Sequence, residues 1–257
     1  MTNYKLIAQI AKNDLRGKYR GSMGGRLWLI ITPLFMLLLY SLVFSIIFQA
    51  RWDSLGIDVH SSYAMVLFPG LMMYQLMMEL LSKGGAAYDA YAPMTSKINI
   101  STISLILGTT LASLIPFWIT IAIWYLVVSV LIGLSIPGFI LVTFTTLIFS
   151  IFCVGLVLLS SVMGALLKDW VQVLSMLGMG LLFVSPVLYP VEHLPDAFQQ
   201  FIYLNPLSHF VDLIRLGAFK PGDMMSEISL VPVLTMTVVS LVAGFWLERV
   251  LERFMNE

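Results

Sequence analysis

Long uncharged, apolar stretches divide this chain. Asp, Glu, Lys and Arg are absent from residues 27–50, 59–78, 98–167, 170–191 and 228–247, and the third of these windows runs for 70 residues. A helix that crosses a bilayer needs about 20 predominantly apolar residues. The four shorter windows therefore hold one span each, and the long one holds two joined by a tight turn. The pattern predicts spans over 27–49, 62–82, 102–132, 138–167, 170–188 and 228–248. The apolar runs are continuous, whereas the strands of a membrane barrel alternate in polarity over roughly ten residues. The expected fold is all-α: one transmembrane domain over 1–257, with six transmembrane helices.

The segments between the windows add shorter elements. In 1–25, Tyr4, Ile7, Ala11, Leu15 and Tyr19 recur at helical spacing, while Lys5, Lys12, Arg16 and Arg20 lie largely off that stripe. This predicts an amphipathic helix in the membrane interface, apolar side down and basic side toward anionic headgroups; a positively charged topology anchor is the plainer alternative. Gly21, Gly24 and Gly25 break the helix before Trp28 opens the first span.

Segment 83–101 is the only sizeable internal connection on its side. Ala86 to Tyr91 predict a short helix, which Pro93 should end because the residue before a proline disfavours helical geometry. Such a helix is what a membrane subunit inserts into a cleft of a cytoplasmic partner, and a simple loop is the alternative. Spans 102–132 and 138–167 are overlong, about 45 Å as helices against a core of roughly 30 Å. They must tilt, kink at Pro116 or protrude, and Gly133 to Gly138 form the turn between them. In 189–222, Pro195 with Phe198, Phe201 and Ile202, then Asn205-Pro206 with Phe210, Val211 and Ile214, predict two short amphipathic helices. They form either a helical hairpin dipping into the outer leaflet or a pair lying flat on the surface.

Composition agrees: 59% of residues are hydrophobic and 11% charged, far below the roughly 25% charged residues of soluble domains. The net charge is zero, so it says nothing of partners, but the distribution of charge sets the orientation. With the N-terminus inside, eleven Lys/Arg fall on cytoplasmic segments and only Arg51, Arg215 and Lys220 fall outside. That is a strong positive-inside bias, and it places both termini in the cytoplasm. The first apolar run is too long for a cleavable signal and lacks a small-x-small site, so the first span should stay.

Chemistry is sparse. Cys153 lies alone inside the fourth span and reads as a small buried hydrophobe rather than a redox or metal site. His60, His193 and His209 share no motif, and no metal site is expected. The spans carry almost no mid-depth charge, which argues against a membrane-interior enzyme and against a coupled secondary transporter. No phosphate-binding Gly-x-x-x-x-Gly-Lys-Ser/Thr loop is present, so ATP is not cradled here by that route. Tyr40, Phe44 and Phe48 lie four apart on one face of the first span, with Met36 beneath, and Phe183 and Tyr189 occupy the outer half of the fifth. Aromatic faces of this kind grip sugar rings, although packing and lipid contact are their commoner uses. Ser160 and Gly164 are spaced for a close helix crossing.

Together these features resemble the membrane subunits of ATP-binding-cassette polysaccharide exporters, the ABC-2 type export permeases, over nearly the whole chain. The residues that carry the resemblance are Lys18, Tyr19, Arg20, Ser22, Gly25, Trp28 and Pro33, the Lys168-Asp169 pair, and the stretches SPVLYPVEHLP (185–195) and LNPLSHFVDLIR (204–215). Lys168 stands where arginine is commoner in that family.

The resemblance implies a non-enzymatic half-transporter in the bacterial inner membrane. Two copies form a channel, two nucleotide-binding ATPase subunits on a separate chain hold ATP and Mg, and no cofactor is bound by this chain. The expected cargo is a lipid-linked polysaccharide: O-antigen first, then capsular polysaccharide, then teichoic acid. Nucleic acid is not an expected partner. On this reading Arg16, Lys18, Arg20 and Arg26 meet the lipid headgroup, with Tyr40, Phe44, Phe48, Phe183 and Tyr189 along the substrate path. Ala86, Tyr88 and Tyr91 couple to the ATPase, and Phe198, Phe201 and Phe210 form the outer gate. A secondary transporter or channel without an ATPase, and a membrane enzyme on lipid-linked sugars, are the competing classes.

Overall fold

A computed structural model of the protein describes residues 4–20, 22–43, 62–95, 101–189, 191, 194–220 and 229–256. Among these residues all regular structure is helical: α1 (Tyr4–Tyr19), a 3₁₀ turn (Gly25–Leu27), α2 (Trp28–Ser41), α3 (Ser62–Gly85), α4 (Ala87–Thr95), α5 (Thr102–Ile132), α6 (Ile136–Leu166), α7 (Trp170–Val184), α8 (Asp196–Ile202), α9 (Pro206–Phe219) and α10 (Val231–Asn256). Four of them, α3, α5, α6 and α10, are long and apolar enough to cross a membrane, and α2 and α7 are shorter apolar helices.

The helix bounds follow local chemistry. Gly25 has a positive φ of 47°, a conformation that favours glycine, and it turns the chain from α1 into α2. Gly133 ends α5 at φ 111°. The turn closes quickly because the Ser135 side chain accepts from the Gly138 amide and caps α6. Helix α6 thus starts at Ile136, two residues before the predicted span. Helix α7 stops at Val184, four residues before the predicted end of its span. There Ser185 precedes Pro186 and is extended, with φ −99° and ψ 145°, as the proline ring requires.

Pro93 does not end α4, which continues to Thr95. A proline ring removes one helical donor, here the partner of the Asp89 carbonyl. Asp89 is exposed, so water can take the freed acceptor. Pro116 lies inside an unbroken α5, and the Thr120 hydroxyl donates to its carbonyl at 2.9 Å.

Helix α3 is central, packed on α2, α5, α6, α7 and α9. Phe68, Met73, Trp124, Phe149 and Phe210 are fully buried around it. Pro69 lacks an N–H and so leaves the Met65 carbonyl without its helical donor; the indole of Trp124 on α5 donates to that oxygen at 2.9 Å. Small residues set two close crossings. A Cβ on Gly164 of α6 would overlap the Gly85 carbonyl of α3, and Gly155 meets the α10 backbone at Ser240 with Gly244 alongside. Cys153 of α6 is buried in the core.

Helix α1 rests on α5. Ile7 and Ile10 lie over Gly108, and Ala11 is buried while Tyr4 stays exposed. Part of the stripe expected to face lipid is thus covered by protein, because α5 extends far enough to receive it.

Candidate functional site

At the α4 end of the bundle, α3 bends into α4 within one turn. The Ala86 amide donates to Ser82 O at 3.1 Å, and the Ala90 amide donates to Ala86 O at 3.0 Å. From α4, the Tyr88 hydroxyl reaches the fully buried Glu248 of α10 and donates to Oε1 at 2.9 Å. The other oxygen of Glu248 accepts from Ser161 of α6 at 2.8 Å. Burial first, and the Glu248 carboxyl second, push the Tyr88 phenol far above its usual range, so its hydroxyl remains a donor. Tyr91 donates to Thr109 Oγ1 of α5 at 3.1 Å, and Ser101 donates to Glu252 Oε1 at 3.0 Å. Ser160 ties α6 to the Leu81 carbonyl and accepts from the Trp170 indole at 2.9 Å.

Of the three predicted coupling residues, then, two point into the bundle. Tyr88 and Tyr91 hold α4 down, whereas Ala86 is exposed together with Asp89, Ala90 and Ala92. A partner that grips α4 meets these small residues and one carboxylate.

A cavity of about 530 Å³ lies between α1, α2, α3 and α5. Lys18, Ser22, Glu79 and Ser113 line its polar part, and Met36 and Phe117 its apolar part. Lys83 ties two of the lining residues together: it pairs with Glu79 at 3.0 Å, lies 3.9 Å from Asp14 of α1, and donates to Ser113 at 2.7 Å. Ser113 in turn donates to Glu79 at 2.9 Å. Of the predicted headgroup residues, Lys18 sits in this cavity and Arg16 and Arg20 are exposed. The Arg26 side chain falls outside the described residues.

The predicted substrate path is only partly placed. Tyr40 is half-buried, edge-on to Phe68 of α3 at 6.3 Å. Phe44 and Phe48 lie outside the described residues. Phe183 is exposed, and the Tyr189 hydroxyl donates to its carbonyl.

At the opposite end, α9 is sunk among α3, α5, α6 and α10. Asn205 caps it by accepting from the Leu207 amide at 3.1 Å and donates to Ser185 Oγ at 2.7 Å. Arg215 is buried, and its guanidinium donates to three main-chain carbonyls: Val66 at 2.9 Å, Pro186 at 2.6 Å and Val187 at 2.9 Å. Phe210 meets Phe149 edge-on at 5.1 Å and Phe152 at a tilt at 5.2 Å. The predicted gate residues therefore separate, with Phe198 and Phe201 exposed on α8 and Phe210 an anchor in the core.

Sequence reasoning missed Glu248, Ser161 and Thr109. Glu248 appears in the sequence only as the charge that ends an apolar window, and its two hydroxyl partners, Tyr88 and Ser161, lie on two distant segments. Its one available signal was an acid at the last residue of the predicted span 228–248, at the same side as the expected coupling helix.

Comparison with known proteins supplies the family. The family model described as ABC-2 type transporter matches residues 5–219. The chain is 24% identical over 244 residues to the polysialic acid transport protein KpsM of Escherichia coli, covering 94% of this chain and 92% of the relative. It is 23% identical over 212 residues to the O-antigen export system permease protein RfbA of Klebsiella pneumoniae, covering 81% and 78%. It is 21% identical over 220 residues to the capsule polysaccharide export inner-membrane protein CtrC of Neisseria meningitidis serogroup B, covering 84% and 79%. The chain is a multi-pass membrane protein, a non-catalytic permease subunit that works with an ATPase, and it belongs to the ABC-2 type transporter family.

Proposed function

We propose that this chain is the channel-forming permease of an ATP-driven exporter that moves a lipid-linked polysaccharide across the bacterial inner membrane. O-antigen is the first choice of cargo, capsular polysaccharide the second and teichoic acid the third. Six spans, both termini in the cytoplasm, a second copy of the chain and two ATPase subunits holding ATP and Mg complete the reading. Helix α4 then faces the cytoplasm and α8–α9 form the outer hairpin.

The observation that carries this reading is the two-sided α4. One face is tied by Tyr88 and Tyr91 to α10 and α5, and the other is bare at Asp89 and Ala90, with Ala86 exposed in the turn before it. A short helix fixed on one side and open on the other is built to receive a push and pass it into the bundle. The names of the relatives supply the cargo class. The polar cavity holding Lys18 suits the charged end of a lipid-linked glycan, since cations near the membrane surface attract phosphate groups.

The test is co-expression of a tagged chain with a candidate nucleotide-binding ATPase subunit from the same organism. A stable complex whose ATP hydrolysis is required for glycan to reach the cell surface is expected. Surface glycan that persists when the ATPase is inactivated would overturn the reading in favour of a secondary transporter or channel.

A further inference from the structure

We infer that Glu248 is a positioning residue, the joint through which movement of α4 is passed to α6 and α10; the inference rests on the exporter reading above. Glu248 is 0% exposed, and its two oxygens are shared between two different elements. Oε1 accepts from Tyr88 of α4 at 2.9 Å, and Oε2 lies 2.8 Å from the Ser161 hydroxyl of α6, which also reaches the Leu158 carbonyl at 2.7 Å. One carboxyl on α10 thereby links three helices whose contributing residues lie 160 and 87 positions away in the chain. One turn further along α10, Glu252 accepts from Ser101 at the foot of α5.

Cohesion alone does not call for an acid here. The seam between α6 and α10 is already drawn close by Gly155, Ser240 and Gly244. A buried carboxyl carries a desolvation cost that an apolar residue of similar size avoids, and such replacements are often neutral or stabilising. What the carboxyl adds is direction. Each hydroxyl bond fixes the angle and distance of one donor, so α4 cannot shift without drawing on α10 or breaking the bond. Helix α4 is joined to α3 through the chain itself at Ala86. A push on its bare face thus acts on α3 covalently and on α6 and α10 through Glu248.

The experiment uses the complex of this chain with its ATPase subunit in proteoliposomes, and reads glycan moved per ATP hydrolysed. Tyr88→Phe keeps the ring and its packing and removes only the hydroxyl, so the amount of assembled complex should hold. Its glycan-to-ATP ratio should fall by about fivefold, the scale of one hydroxyl bond to a carboxyl. Ser161→Ala should behave alike. Glu248→Gln keeps an acceptor for Tyr88 and a polar partner for Ser161, so its ratio should stay within about twofold of the wild type, while Glu248→Met falls.

A second reading is independent of cargo: nucleotide-dependent hydrogen exchange across α10, expected in the wild type and lost in Tyr88→Phe. A wild-type ratio in Tyr88→Phe with unchanged exchange, or a Glu248→Gln variant that fails as Glu248→Met does, overturns the joint. A nucleotide response of α10 in the wild type, lost in Tyr88→Phe, without any glycan movement supports the joint and overturns the polysaccharide reading instead.

Discussion

The α4 end and the α9 end of the bundle both rest on buried polar side chains, but they use them in opposite ways. At the α9 end one guanidinium donates to three main-chain carbonyls, from α3 and from the segment after α7. Main-chain oxygens are fixed by their own elements, so this clasp has one geometry. Elsewhere on α9, Phe210 packs against Phe149 and Phe152 of α6. At the α4 end the bonds run from hydroxyls to carboxyls, Tyr88 and Ser161 to Glu248 and Ser101 to Glu252. Both partners sit on rotatable side chains, and single bonds there can be exchanged without unpacking a helix. The α9 end is a lock and the α4 end a joint. A transporter driven from one side needs that asymmetry: the driven end must move while the far end keeps its shape until the motion arrives.

The comparison breaks most readily at the lock. Arg215→Met leaves three buried carbonyls without their donor, each costing about 1–3 kcal/mol. We expect little assembled complex in membranes, read by quantitative immunoblot of the purified assembly. Arg215→Lys, which lacks the fork of the guanidinium, should recover only part of it. Assembly at the wild-type level in Arg215→Met would remove the lock from the account.

The next effect is at the crossing of α3 and α6. Gly164→Val must push the Gly85 backbone away, an overpacking that costs about 1–3 kcal/mol. Its thermal unfolding in detergent should shift down clearly, and an unchanged midpoint would show that the two helices are not in this contact.

At the joint, stability should change little. Tyr91→Phe removes one hydroxyl bond to Thr109, about 1 kcal/mol or less, so its melting point should stay near the wild type. The smallest effects belong to α8. Phe198 and Phe201 are exposed, so alanine at either position should alter stability by no more than about 0.5 kcal/mol. On the gate proposal, the pair of changes alters surface glycan while the complex stays intact; unchanged surface glycan would remove α8 from the gate.

The contrast also explains what the sequence reveals. Helices were legible wherever charge was missing over a bilayer's thickness: α5 occupies Thr102–Ile132 as expected, and α6 and α7 differ only at their ends. The ends moved where a single residue governs a turn, Ser135 as a cap and Pro186 as a stop. The clasp was half legible, since Asn205-Pro206 announces α9, but a buried arginine bonded to carbonyls leaves no periodic trace. The joint was not legible. Tyr88 and Tyr91 are aromatic residues on a short helix, and sequence alone does not say which face of that helix is turned inward. Glu248 requires three helices to be assembled before its partners are within reach. Phe44 and Phe48 of the proposed glycan path fall outside the described residues, so that proposal rests on the spacing of the aromatic residues.

On the proposed function, α4 is anchored by one face and offers the other to an ATPase. Single cysteines at Asp89, Ala90 and Tyr88, introduced after Cys153→Ala, test it by cross-linking to the ATPase subunit in the assembled complex. Cross-links are expected from positions 89 and 90 and none from position 88. Cross-linking from position 88 alone, or from none of the three, would contradict the proposal.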